Sequence, residues 1–404
     1  MSALITIICM SLLITMISNE NLQELAILKI KTYNSPTPMD INSTLKTFLL
    51  PDIYLELEVD NENDSKKGVK QTLNTFIDGA INILSMRQLN LSDFCKYNSS
   101  LSDTFKVLES RALYCKAEEK IKIYNDLDLS KYKYISLAFD NSNSNCLRDS
   151  LCGNAGIDIL SHLNKDIGFI YQLHTTLNIK EQNWAFLFSS KDEGKFIFGD
   201  LLHKYIPNEY EEKNLITFNT ASTSYEIALD SIKFEEKDKI NDFGVDNINV
   251  QISPNIEGMI FGHVFFASIS KYFNDYFENE ICTSEVIDST TMIYCDGDKF
   301  GVKDIESFPK IVCNKYKYDF NISFENKELF LYRDNKYIFN IYKRNGQSKK
   351  FTFGRIFLKK YLTIFNADKK TIYFYKNTQI NQINNKNGES ETNKSFFEEY
   401  WKII

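Results

Sequence analysis

The sequence is poor in the residues that break or punctuate regular structure. Its 404 residues include only 15 glycines and 6 prolines, which excludes a collagenous repeat and a proline-rich low-complexity chain. With four histidines and no CxxC pair, nothing is spaced to hold zinc, and no metal or other cofactor is expected. Neither charge sign dominates. Lys and Arg total 47 and Asp and Glu total 54, a net charge of −7, with the signs interspersed. Such a chain lacks the basic footprint of a nucleic-acid binder. Apolar runs of membrane-spanning length are also lacking. The uncharged stretch Ala3 to Ile17 is followed by Ser18 and the polar NENLQ. It is short enough to read as a signal peptide over 1–18, with an uncleaved signal anchor as the alternative.

What is present fits a secreted or lumenal chain. Beyond Cys9 in the signal there are Cys95, Cys115, Cys146, Cys152, Cys282, Cys295 and Cys313, so in an oxidising compartment six pair and one is left over. Buried free thiols are the alternative. The sequons at Asn42, Asn63, Asn90, Asn98, Asn321 and Asn393 permit glycosylation, but so Asn-rich a chain produces about that many by chance.

Residues 19–50 form a mixed leader, a shortened propeptide-like segment whose first part reads as a short amphipathic helix. From about Pro51 to Lys376 the texture changes. YLELEVD, KFIFGD, SYEIALDSIKF, YDFNISF, YIFNIYK and TIYFYK are short runs rich in β-branched and aromatic residues, separated by polar turns. They predict an all-β barrel or sandwich architecture. Helical periodicity is rare, and HVFFASISKYFNDYF is its best case. Residues 377–404 are a polar tail ending in the aromatic FFEEYWKII.

Several segments, in order, resemble pepsin-like aspartic peptidases. KQTLNTFIDGAINILSM resembles the family's strand, Asp-Thr-Gly triplet and following strand, with Asp78 on the first catalytic aspartate but Gly79 and Ala80 in place of Thr and Gly. SSLSDTFK resembles the Ser-rich approach to the flap, and Tyr114 falls on the flap tyrosine. WAFLFSSKDEGKFIFGD resembles the strand–turn–strand that ends in Phe-Gly-Gly, and Tyr225 stands where the family has a Trp. ESFPKIV fits the Pro-bearing strand. FGRIFLKKYLTIFNADKKTIYFYK resembles the C-terminal signature through Gly354, Phe357, Leu358, Tyr361, Phe365 and Phe374. The resemblance covers roughly residues 50–376. It implies an all-β, bilobal fold with a central cleft and a few short helices, with lobes at 51–200 and 201–376. It also implies a bridge at Cys295, for which Cys282 or Cys313 would replace the missing partner. Cys146 and Cys152, close in sequence, are a further candidate pair.

The family's chemistry needs two carboxylates around one water, sharing a proton because two like charges so close do not both ionise. The second aspartate belongs at the turn after INVQI. There Ser253, Pro254 and Asn255 occupy the Asp, Thr and Gly places, 175 positions after Asp78. A serine hydroxyl does not titrate near neutral pH, so it serves as neither acid nor base. Asp246 is the nearest substitute but precedes the strand. Glycines are also missing around Tyr114, where YCKAEEKI stands. Asp78 itself reads equally as an ordinary turn residue.

Three functions follow as expectations. The first is a secreted homologue without catalysis, monomeric, binding a peptide or protein in the interlobe cleft. The alternative is an active aspartic-type endopeptidase with an unrecognised second carboxylate. The third is a structural or surface protein of the secretory route.

Overall fold

The computed structural model describes residues 25–32, 53–59, 71–78, 84–88, 97–99, 102, 104–111, 114–126, 129–141, 151–157, 167–188, 193–205, 211–220, 225–236, 239–254, 256–287, 289–318, 320–344 and 351–379. Its strands form two large sheets, of 13 and 11 strands among the described residues. Helices are few and short. The expected helical run at 263–277 forms the helix His263–Ser270, a 3-10 turn at Lys271–Phe273 and the helix Asn274–Glu278. Phe169–Leu177 adds a nine-residue helix. The architecture is all-β, as the strand pattern implied, and bilobal, as the resemblance implied.

Alternation explains the strands. Along Ile53–Glu58, every second residue is buried and its neighbours are half-buried, so one face meets the core while Glu56 and Glu58 reach towards solvent. The first sheet joins both ends of the chain. Asn183–Phe188 pairs on one side with Glu193–Gly199 and on the other with Tyr361–Asn366, which pairs with Thr371–Gln379, and that strand pairs with Leu215–Asn219. At this junction the Trp184 ring stacks on Phe365 at 4.1 Å and meets Tyr225 edge-on at 5.4 Å, and its indole N–H donates to the Tyr225 hydroxyl at 3.3 Å. Phe357, Leu358, Tyr361, Phe365 and Phe374 are all buried. The last strand runs to Gln379, a little into the segment expected as tail.

One expectation is corrected at the N-terminus. Ala26–Thr32, read as the start of an amphipathic helix, is a strand. Both of its faces are covered, so its apolar residues run on without alternation. Ala26, Leu28 and Ile30 join the main core, whereas Leu25 and Ile27 join a second cluster with Leu362, Ile364 and Tyr373. A segment buried on both faces reads as a continuous apolar run, which does not separate strand from helix by periodicity alone.

Candidate functional site

Two four-strand units repeat one pattern. In the first, Thr72–Asp78 runs parallel to Leu151–Gly156, with Ile77 opposite Ala155 and Asp78 opposite Gly156. Leu84–Gln88 lies antiparallel on the far side, with Leu84 opposite Ala155, and pairs in parallel with Tyr132–Asn141. In the second, Lys239–Ile252 runs parallel to Phe351–Phe353, with Ile252 opposite Phe353. Met259–Ile260 lies antiparallel, with Met259 opposite Phe353, and pairs in parallel with Ile341–Arg344. Ala155 and Phe353 therefore hold the same place, and so do Ile77 and Ile252, and Leu84 and Met259. The turns between the paired residues have equal length. The next residue along the leading strand is Asp78 in one unit and Ser253 in the other. Ser253 is half-buried, and its N–H donates to the Phe353 carbonyl at 2.9 Å.

The second turn also carries a carboxylate that the sequence reading passed over. Glu257 accepts from Arg355 Nε at 2.7 Å on one oxygen and from Lys359 Nζ at 3.0 Å on the other. Arg355 Nη1 donates to the Pro254 carbonyl at 3.1 Å. The Arg355 side chain is fully buried, and those of Lys359 and Glu257 are nearly so. Burial on its own would raise the acid's pKa, but the two cations and their hydrogen bonds overcome it and hold Glu257 at about 2. The same turn cradles the following strand end. Arg355 N–H donates to the Ile256 carbonyl at 2.7 Å and Ile356 N–H to the Glu257 carbonyl at 2.9 Å. A Cβ on Gly354 would stand 2.1 Å from the Gly258 carbonyl oxygen and 2.2 Å from that of Ile256, so only glycine allows this approach. Glu257 thus remains an anion with both oxygens engaged. It is built to brace the turn, whereas half of a proton-sharing pair needs a carboxyl free to gain and lose a proton.

The remaining predicted residues fall in different places. Tyr114 opens the strand Tyr114–Tyr124, which forms a hairpin with Lys106–Arg111 and pairs Tyr114 with Arg111. Its side chain, like that of Asp78, lies outside the described ones. Gly79, Ala80 and Asn255 lie outside the described residues, while Pro254 is buried. Asp246 does not precede its strand but lies within it, opposite Ser231 and six residues before the end at Ile252. On the hairpin strand a further carboxylate, Glu119, is wholly buried. It accepts from the hydroxyls of Tyr97 and Thr104 and from the Lys120 N–H.

The cysteine scheme is partly corrected. Cys295 is bonded to Cys282, its direct partner across the antiparallel pair. Cys313 is a buried free thiol whose pKa burial pushes up. It sits on Lys310–Lys315, a strand of the other branch of the sheet, away from that hairpin. Cys115 is also disulfide-bonded, with a partner beyond the described side chains. Cys146 lies outside the described residues, and the side chain of Cys152 is likewise undescribed. Among the described residues no group of His, Cys, Asp and Glu is placed to hold a metal, and no helix is long and apolar enough to cross a membrane.

Sequence comparison gives no relatives: no family model and no curated protein matches the chain. Solved structures do match. Basic 7S globulin from soybean superposes with a TM-score of 0.58 at 12% identity, over 90% of this chain and 97% of that one. Conglutin gamma, a basic 7S globulin from lupine seeds, gives 0.57 at 12% identity, over 88% and 96%. At this identity the likeness concerns the fold, which is the all-β, bilobal, pepsin-like one.

Proposed function

We propose that on this fold the chain is a catalytically inactive homologue of pepsin-like aspartic peptidases whose interlobe cleft binds an extended peptide or a protein segment. The observation that carries the reading is the shared register of the two units, in which Ser253 stands where the first unit has Asp78. A lone carboxylate opposite a hydroxyl holds a water but does not exchange acid and base roles with a partner. The nearest carboxylate in the same turn, Glu257, is tied to Arg355 and Lys359, which speaks against its serving as a hidden second acid. The strands around both turns need no catalytic aspartate to form. A groove between sheets suits a peptide held by main-chain hydrogen bonds, with pockets for alternate side chains.

On this reading the lobes are 51–200 and 201–376, and the protein acts as a monomer in a secretory or lumenal compartment. The N-terminal apolar run and the Cys282–Cys295 bridge support that location. The test is incubation of the purified chain with a mixed peptide library from about pH 2 to pH 8, spanning carboxylate titration. The expected result is retention of some peptides without cleavage. Cleavage blocked by pepstatin and abolished in Asp78→Asn would instead favour the active endopeptidase. Glu257→Gln then asks whether Glu257 is its second acid.

A further inference from the structure

Of the six sequons, those of Asn98 and Asn321 begin within the described residues, and their surroundings differ. Asn98 is half-buried beside Ser99, which is 1% exposed, and its N–H donates to Gln71 Oε1 at 3.0 Å. Asn321 is exposed, and no hydrogen bond engages its side chain among the described residues. It lies on the strand Phe320–Phe324, which ends the second sheet beside Lys310–Lys315. Along this strand Ile322 and Phe324 are fully buried, Asn321 is exposed and Ser323 is half-buried. The period of two therefore puts both chemical members of the sequon, the Asn321 amide and the Ser323 hydroxyl, on the outward face. The strand stays fastened without that amide. Ile322 stands opposite the buried Cys313, and the Tyr361 hydroxyl holds the backbone at Ser323, accepting from its N–H at 2.9 Å and donating to its carbonyl at 3.1 Å.

We propose that Asn321 carries an N-linked glycan in the mature protein. The inference rests on the secretory location proposed above, and not on what the cleft binds. The group transferred is an oligosaccharide beginning with N-acetylglucosamine, supplied by a lipid diphosphate donor in the lumen. Asn321 Nδ2 bonds to the sugar C1 as the bond from C1 to the phosphate oxygen breaks. The lipid diphosphate leaves with that electron pair, the amide gives up one proton, and nothing is oxidised or reduced. The hydroxyl two residues on marks the acceptor. Transfer takes place on an extended chain, so folding afterwards has to leave the sugar in water. The outward face at Asn321 meets that condition, whereas the half-buried side chain of Asn98 does not. A bulky polar group at Asn321 also stands over the end strand of the sheet, where it opposes edge-to-edge pairing with another chain.

The chain is expressed in glycosylating cells in two forms, one with its own N-terminus and one with a secretion signal of known function in place of residues 1–18. Peptide N-glycosidase in heavy-oxygen water converts a glycosylated Asn to a labelled Asp, which peptide mass spectrometry reads. The label is expected at Asn321 in both forms and nearly absent at Asn98. One step of the glycosidase-sensitive gel shift should be lost in Asn321→Gln and in Ser323→Ala, and kept in Ser323→Thr. An unlabelled Asn321 behind the known signal overturns the inference. Equal label at Asn98 and Asn321 overturns the argument from exposure on which it stands. Label at Asn321 only behind the known signal overturns the secretory location, and with it the glycan on the natural chain. Peptide retention by the cleft is measured separately and stands or falls by itself.

Discussion

In the first half of the chain Ile77 and Leu84 both pair with Ala155, and two residues beyond Ala155 stands the buried Ile157. In the second half Ile252 and Met259 both pair with Phe353, and two residues beyond it stands the buried Arg355. One backbone frame thus accepts an aliphatic side chain at one copy and a guanidinium at the other. The difference shows which part of the frame is constrained. Backbone register and turn length recur, because hydrogen bonding between neighbouring strands imposes them. The filling is free to vary provided that its polar groups are satisfied. Arg355 is tolerable only because Glu257 and the Pro254 carbonyl meet it, and that requirement turns the second turn into a braced structural element.

The comparison can be broken most severely at Glu257. Glu257→Ala leaves Arg355 and Lys359 buried without their anion and should cost about 3–5 kcal/mol, read from the denaturant midpoint. Replacing Glu257, Arg355 and Lys359 together by apolar residues of similar volume, as at Ile157, should recover most of that loss. If the triple variant is as unstable as the single one, the two halves are not alternative fillings of one frame.

Next in size is the close approach at Gly354. Gly354→Ala drives a Cβ against two carbonyl oxygens and should cost about 3 kcal/mol, the upper end of ordinary overpacking, measured in the same unfolding assay. A loss below about 0.5 kcal/mol, within the range of ordinary surface changes, would mean that the turn is not braced there.

Acid sharpens the same contrast. The Glu257 pKa is depressed from its ordinary 4.5 to about 2. Its contribution is therefore complete above about pH 4.5 and is lost as pH falls towards 2. The depression corresponds to roughly 3 kcal/mol. Glu257→Gln should flatten the fall in melting temperature across that window. Glu58 is also held at about 2, against burial, by Lys29, Tyr124 and Lys122, and its contribution fades in the same direction and window. Its side chain is 28% exposed, however, so solvent screens the network. Glu58→Gln should cost under about 1 kcal/mol.

The smallest effect expected is on chemistry. Ser253→Asp puts a carboxylate at the second place, but Pro254 and Asn255 still flank it and Glu257 still braces the turn, so no peptide cleavage should appear between about pH 2 and pH 8. Appearance of pepstatin-sensitive cleavage in this variant would show that the missing carboxylate was the sole defect.

Much of the fold was legible beforehand. Alternation in YLELEVD and the aromatic, β-branched runs marked strands that do form, and HVFFASISKYFNDYF marked the helical stretch. The N-terminal strand was misread because Leu25 to Leu28 are buried on both faces, which removes the alternation that identifies a strand. Of the site, Ser253 was expected from its distance to Asp78 and from the apolar strand before it, and strand pairing puts it in the register of Asp78. Glu257 escaped because an acid in a turn is ordinarily solvated, and no local signal marks its burial against a helix 98 positions onward. The Cys295 partner was narrowed to Cys282 or Cys313, and only the strand pairing chose between them.

The sequence by itself determined the class of architecture, the order of many of its elements and the serine at 253 after an apolar strand, since these depend on residue type and spacing along the chain. Tertiary structure decided that residues 26–32 are interior and that the second turn is held by a buried ion cluster. It also decided that Cys282 and Cys295 meet and that Asp78 and Ser253 occupy matching registers. Each of these is a pairing between distant segments, and a pairing is fixed by which surfaces close on each other when the sheets form.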